Sequence, residues 1–401
     1  MLSVLFHLLP YLVVIGPVVV IHEFGHFLAG KAVGAKIDAF SIGFGKAIFE
    51  RTDRSGVSWR LAWLPIGGYV RFAGDDNAAS VPDTNDLDAL RRDIVAREGE
   101  DALKQYHYFK PIWQRALISV AGPAANFVLS IAIFAAIVMV LGEPVSKARI
   151  GEVFANTPAA RAGLKPGDVV LKADGKAIKA PEAIKELVVL RTGVPITLLV
   201  DRGGRQFVTN VTPVRGPVSD GMGHTQQLGR IGVGFADRPG DRKLVRYGPV
   251  GAIGMGVAKT YDILETTIYY IGRMIEGRET AAQLSGPIGM AQISGDLVKQ
   301  AAEASKDPAT LALNLFLTAA QLVAAISVGI GFLNLMPIPV LDGGHLLFYA
   351  YEAVTRRPLA AKVQAVGYRV GLALVLGLML FATVNDLQRL RVFNFIGGLF
   401  S

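Results

Sequence analysis

The chain has 401 residues, of which 51 % are hydrophobic and 18 % charged, and its mean hydropathy is +0.40. That is too little polar surface for a water-soluble protein of two or three domains, and it excludes a disordered or collagen-like chain. There is no cysteine, so disulfide frameworks, Cys-ligated zinc and thiol nucleophiles are ruled out. The net charge of +8 is better placed at membrane loops and head groups than on nucleic acid.

Four stretches are apolar enough to cross a bilayer. Met1 to Ile21 carries no Asp, Glu, Lys or Arg, which at 1.5 Å rise per residue suffices for one span. Neither a basic leading region nor a small-x-small cleavage site marks it as a signal peptide. The second uncharged run is Ala116 to Gly142. The third, Pro308 to Leu341, exceeds one helical span and is broken by Pro337 and Pro339. The fourth, Val370 to Asn385, is short and borrows flanking residues such as Tyr368, with Arg369 snorkelling. Lys31, Lys36, Lys110 and Arg115 flank the first connection, and Arg356, Arg357 and Lys362 the last. The positive-inside tendency then places both connections in the cytoplasm, with both termini and the 143–307 segment outside.

Between the first two spans, Phe40, Ile42 and Phe44, then Val57, Trp59, Leu61 and Trp63, alternate with small or polar residues, interrupted by Gly43, Gly45, Gly67 and Gly68. That is strand periodicity with breaks. It fits a strand pair against or within the membrane, its backbone satisfied internally, and equally a small cytoplasmic hairpin.

Residues 144–215 predict a compact β-rich domain. Arg149 to Val153 opens a strand, and Asn156-Thr157-Pro158 caps a short helix. Gly163-Leu164-Lys165-Pro166-Gly167-Asp168 is a turn, Val169 to Leu171 a strand and Asp174-Gly175 a hairpin turn. Pro181 to Leu190 is a helix, followed by strands Ile196 to Val200 and Phe207 to Val211. This order resembles a PDZ domain of the bacterial periplasmic-protease kind, present once, which takes up a chain end or extended segment as an added strand. Residues 216–230 are expected to form a flexible loop. Pro249 to Glu276, carrying Lys259, Asp262, Glu265 and Arg273, is expected to be an amphipathic helix at the outer surface.

His22 and His26 are four apart, so on a helix both imidazoles face one side, as two ligands of one metal do. Glu23 falls beside them, where it can take a proton from water. Ionisable side chains at membrane depth need a partner or a purpose. Catalytic zinc has three protein ligands and an open position. Of the other histidines, His7 lies near the outer end of the first span, and His107 and His224 lie in loops. The better third ligand is Asp342, in Asn334-Leu335-Met336-Pro337-Ile338-Pro339-Val340-Leu341-Asp342-Gly343-Gly344-His345, where an apolar span is broken and resumes with an acid. Two alternatives stand beside it: Asp342 as N-cap of the following helix, and His345 as the ligand instead.

His-Glu-x-x-His in the first span, Asn-x-x-Pro-x-Pro-x-Leu-Asp-Gly in a later one and the PDZ-like insertion together resemble the site-2 protease family, M50-type intramembrane zinc metalloproteases. The likeness is closest to the bacterial branch similar to regulator of sigma-E protease. Ala121-Gly122-Pro123-Ala124-Ala125-Asn126 and Ser285-Gly286-Pro287-Ile288-Gly289 resemble further signatures of that family. The resemblance implies a multi-pass α-helical membrane protein with a membrane-associated β-loop and an inserted extracytoplasmic PDZ domain. It implies one Zn2+ per chain on His22, His26 and Asp342, Glu23 as general base, and Asn334 with the Pro337/Pro339 break holding an unwound substrate strand. It further implies cleavage of single-span transmembrane proteins, such as an anti-sigma factor or signal-peptide remnants, in a bacterial inner membrane. On that footing the partners are the lipid bilayer, those substrates and a PDZ-bound peptide or chain terminus, with the active site towards the cytoplasmic side. Well-known relatives carry two PDZ domains in tandem, and this chain shows one.

The chain is thus expected to divide into a first span with the histidine motif (1–36), the β-loop (37–72), a polar loop (73–113), a second span (114–142), the PDZ domain and following loop (143–235), an amphipathic helical region (236–307), a third, broken span (308–354), and a fourth span with its tail (355–401). A rival from another class is a catalytically silent PDZ-bearing membrane adaptor. Such a relative should lack a ligand or the base, yet His22, Glu23, His26 and Asp342 are all present.

Overall fold

The computed structural model describes residues 2–74, 84–219, 225–238, 240–278 and 286–389. The chain runs α1 (Leu2–Ala32), β1 (Ile37–Thr52), β2 (Ser58–Phe72), α2 (Thr84–Glu98), two 3-10 turns, α3 (Ile112–Leu141), β3 (Glu143–Ser146), β4 (Ala148–Val153) and α4 (Pro158–Arg161). It continues through β5 (Val169–Ala173), β6 (Lys176–Ala177), α5 (Pro181–Leu190), β7 (Ile196–Arg202), β8 (Arg205–Val211), β9 (Val214–Ser219), β10 (Thr225–Arg230), β11 (Val233–Phe235) and β12 (Arg242–Val245). It ends with α6 (Pro249–Ile275), α7 (Pro287–Glu303), α8 (Pro308–Asn334), α9 (Asp342–Thr355) and α10 (Ala361–Arg389). Two compact units emerge: residues 1–136 with 253–401, and residues 137–252.

In the first unit, four helices are long and apolar enough to cross a membrane: His7–Ala32, Ile112–Leu141, Pro308–Asn334 and Lys362–Gln388. Each overlaps one of the four uncharged stretches of the sequence; the third stops at Asn334, short of Leu341, and the last is lengthened through Lys362 and Arg369. Small residues let helices of this unit approach closely. A Cβ at Gly25 of α1 would stand 2.3 Å from the Ala121 carbonyl oxygen of α3, and one at Gly256 of α6 would stand 2.4 Å from that of Ile131. Ser130 and Thr260 pair their hydroxyls at 3.1 Å beside the second crossing. The pair satisfies two buried hydroxyls where the helices meet.

The β-loop forms as alternating residues predict, with more elaborate pairing. Phe40 of β1 pairs with Val70 and also with Trp59 of β2, and Ile42 with both Gly68 and Leu61, while Phe49 to Thr52 pair with Leu61 to Ser58. Each strand bends back at its glycines, Gly43 and Gly45 having φ of 90°. One end of the loop packs on α1 and α3, its Phe40, Val57 and Phe72 meeting Phe27 of α1 and Ile118 of α3. Trp59 completes an aromatic cluster there, 5.2 Å from Phe27 and 5.0 Å from Phe40 between ring centroids. At the other end Ile48, Phe49 and Trp63 are exposed.

The second unit holds an antiparallel sheet in the order β11-β4-β5-β7-β8, with β6 added to β5. Its core is Ile150, Ile184, Ile196, Leu198, Val200 and Val211, all fully buried. Truncating any one of them to alanine costs about 2–5 kcal/mol. The local expectations hold here. Thr157 Oγ1 accepts the Ala160 N–H and caps α4. Asp174 and Gly175 take positive φ, 48° and 81°, between β5 and β6. The turn ending at Asp168 is held by Arg202, whose Nε and Nη2 donate to the carboxylate at 2.7 and 2.8 Å while Nη2 also donates to the Gly163 carbonyl. β4, α4, β5, α5, β7 and β8 follow one another in the chain order read from the sequence. One expectation is corrected: residues 214–219 and 225–230 pair as β9 and β10 instead of forming a flexible loop. His224 lies outside the described residues.

Candidate metal centre

α1 carries His22 and His26 on one face because the helix continues past the apolar run to Ala32. α8 ends at Asn334 with Leu335 as its C-cap, and the two prolines interrupt the helix until α9 begins at Asp342. Gly343 and Gly344 let α9 start this close to the break. A Cβ at Gly343 would stand 2.3 Å from the Leu335 and Met336 carbonyl oxygens, and one at Gly344 would stand 2.3 Å from that of Ile338. The residue flanking α9 as N-cap is Leu341. Asp342 is the first helical residue, so its carboxylate is not the cap and is free to face α1.

There it meets the two histidines. Asp342 Oδ2 lies 3.2 Å from His22 Nε2, and Oδ1 lies 3.5 Å from His26 Nε2. The two Nε2 atoms are 3.3 Å apart. One ligand atom from each of the three residues falls within 4.8 Å of the others. The three side chains are only 10 %, 13 % and 18 % exposed.

The residues present fit a metal. Two imidazoles and a carboxylate, one of each side chain's donor atoms turned to a common point, are a donor set that zinc accepts. His26 donates from Nδ1 to the Ile118 carbonyl oxygen at 2.8 Å. A carbonyl can only accept, so the proton sits on Nδ1 and the Nε2 lone pair faces the cluster.

Glu23 lines the same cavity of about 460 Å³, together with Gly68, Tyr69 and Val70 of β2. Gly68 is needed there, since a Cβ would come within 2.7 Å of the Ser41 carbonyl oxygen and 3.2 Å of Glu23 Cγ. Asn334 also lines it, its amide nitrogen 3.4 Å from His22 Nε2. Pro337 and Pro339 are not among the lining residues. Pro339 packs towards α10, where Gly371 leaves it space. His345 lines the cavity but turns its ring to Tyr368, whose hydroxyl is 3.1 Å from Nδ1. His107 stacks on Phe72 with 5.0 Å between centroids, and His7 lies 3.7 Å from Asp296. Burial pushes the His107 imidazole down to about 3, the Arg115 charge adding to the effect, which keeps that ring neutral.

In the sequence the 121–126 stretch is a family-like signature with no evident role. The structure places it against the site: Gly122 under the His26 ring, and the Asn126 amide 3.2 Å from His22 Nδ1. The signal was present as a proline and a lone amide in an otherwise apolar run.

A His-Glu-x-x-His helix meeting an aspartate among bilayer-length apolar helices defines the class of membrane metalloproteases. The chain belongs to peptidase family M50, whose model matches residues 10–378. It is 47 % identical to metalloprotease MmpA of Caulobacter vibrioides over the whole of both chains. It is 39 % identical, over 96 % of each chain, to an Agrobacterium fabrum protein that bears a zinc metalloprotease name. Among solved structures, the PDZ domain of an SdrC-like protein from Listeria innocua matches 23 % of this chain and 97 % of its own at 15 % identity and a TM-score of 0.20.

Proposed function

We propose that the chain is an intramembrane zinc metalloendopeptidase that cuts the transmembrane segments of single-span proteins. His22, His26 and Asp342 hold one zinc ion and Glu23 is the general base. The observation that carries this reading is the convergence of three ligand atoms from α1 and α9 within 4.8 Å, beside a glutamate on the same cavity.

Zinc bound there supplies a Lewis acid that polarises a peptide carbonyl and acidifies water. Glu23 takes the proton of the attacking water and returns it to the leaving amine. A substrate helix hides its amides in its own hydrogen bonds, so it must unwind before a carbonyl reaches the site. The 68–70 stretch of β2, which flanks Glu23, holds the opened strand by edge pairing. Asn334 orients that strand from the opposite wall, and Pro337 and Pro339 keep the 335–341 backbone out of the helix beside it.

The substrates are single-span signalling proteins, such as an anti-sigma factor, or signal-peptide remnants, in a bacterial inner membrane. The site faces the cytoplasmic side and the PDZ-type domain the periplasm, where it filters substrates by size or end group. Deleting residues 144–215 is then expected to loosen selectivity and leave intrinsic cleavage intact; loss of all cleavage by a folded deletion protein would count against the filter.

The main test pairs metal content with cleavage. The purified protein and Glu23→Gln are given a tagged single-span substrate with a short outer tail. Cleavage by the parent alone, with about one zinc in each, supports the reading. Folded parent without metal overturns the ligand set and favours a silent adaptor.

A further inference from the structure

Resting on the metal reading above, we propose that Asn126 is a positioning residue for His22. Its side-chain oxygen accepts the His22 Nδ1 proton, which fixes the imidazole tautomer and leaves Nε2 free to bind metal.

Asn126 is fully buried on α3. Its amide lies 3.2 Å from His22 Nδ1, drawn with the nitrogen towards the ring, and Oδ1 has no hydrogen-bond partner. In that orientation the amide donates to Nδ1, and a neutral imidazole must then carry its proton on Nε2. But Nε2 is the atom that faces His26 Nε2 at 3.3 Å and Asp342 Oδ2 at 3.2 Å. A proton there blocks the lone pair that a metal needs. A half-turn about the last side-chain torsion exchanges oxygen and nitrogen. The oxygen then accepts from Nδ1–H, and Nε2 opens towards the cluster. One amide atom stays unpaired either way, so the demand of the metal decides the orientation.

α3 thereby serves both ligands. Ile118 and Asn126 lie about two turns apart on one helix, and they meet the outer nitrogens of His26 and His22 respectively. Asn126 is itself held in place. Ser327 of α8 donates to its backbone oxygen at 2.9 Å, and a Cβ at Gly331 of α8 would come within 3.3 Å of its Cβ. A residue that only joined α1, α3 and α8 would need no particular atom towards Nδ1, and this separates positioning from packing.

The test uses the full chain in detergent and zinc competed against a chelator, with thermal unfolding of the metal-free forms as a check on folding. Asn126→Ala is expected to weaken zinc binding by about 10–100-fold while the metal-free melting point stays near the parent's. Asn126→Asp, an acceptor without a donor, is expected to restore binding. Ala binding zinc as tightly as the parent overturns the proposal, and so does Asp binding no better than Ala. Should the Ala variant not fold, nitrogen NMR of the zinc-loaded parent decides: His22 carries its proton on Nδ1, whereas a bare or metal-bound Nδ1 overturns the proposal. A parent without zinc removes the metal reading and this inference together; zinc held equally by parent and Ala removes this inference alone.

Discussion

Gly122 of α3 lies directly under the His26 ring, where a Cβ would stand 2.3 Å from Nε2 and 2.5 Å from Cε1. His26 cannot simply swing aside, because its Nδ1 is held by the Ile118 carbonyl oxygen. Gly122→Ala is therefore expected to keep the fold and weaken zinc binding at least tenfold, the scale on which displaced ligands lose metal. Gly16→Ala on α1, which meets nothing within 4 Å, is the control and should bind as the parent does. Equal zinc affinity in the Gly122 variant would show that the ring has somewhere else to go.

Asp168 in the second unit is wholly buried, and it also accepts the Lys165 N–H at 2.8 Å. Burial pushes its carboxyl up, but Arg202 and the Lys165 amide more than offset this and hold it below the usual carboxylate range. A carboxylate with a depressed folded value stabilises the fold at pH above its unfolded value of about 3.9, and loses that contribution as pH falls below it. The protection of the β4–β8 amides from hydrogen exchange, taken relative to the intrinsic rate at each pH, should thus fall in the parent as pH drops below about 3.9. Asp168→Ala should lose about 2–3 kcal/mol at neutral pH, less than a fully buried pair because Arg202 is 39 % exposed. It should also flatten the acid limb; a limb that survives the substitution would place its origin elsewhere.

Asp386 near the end of α10 accepts the backbone N–H groups of Gly286 and Gly289 at 3.1 and 2.8 Å, and so caps α7 from another helix. This gives the 286–289 signature a physical reason. A Cβ at Gly286 would stand 2.7 Å from the carboxylate. Asp386→Ala strips the cap and should cost about 1–2 kcal/mol, read as a lower unfolding temperature at unchanged zinc content. Asp386→Asn, which keeps one acceptor, should fall between the two.

Where the sequence was legible, the rule was local. Pro181 to Leu190 forms α5 with the expected limits because Pro181 opens it and a turn follows. Thr157 and Asp174-Gly175 do what their side chains and backbone freedom dictate. Where it was not legible, the deciding partner lay far along the chain. β9 and β10 arise from a Gly- and Pro-rich stretch only because each offers the other a ladder, Gly229 opposite Arg215. Phe40 gives the strand period but not its two partners on β2. Asn126 is only the last residue of a signature in the sequence until His22, 104 residues away, is placed beside it.

The sequence favours Asp342 as third ligand and leaves His345, which follows the same proline break within one helical turn, as the alternative. Geometry separates them. Asp342 reaches both histidines at 3.2 and 3.5 Å, whereas His345 turns to the Tyr368 hydroxyl. Asp342→Asn keeps size and shape but removes the anion, leaving two neutral imidazoles as ligands. Its zinc affinity should fall by more than the ~10–100-fold that loss of an outer partner causes, and cleavage should go with it. His345→Gln should retain the zinc, because its ring turns to Tyr368 and is not among the three side chains whose donor atoms converge. If His345→Gln loses the metal and Asp342→Asn keeps it, the third ligand has been assigned to the wrong side of α9's first turn.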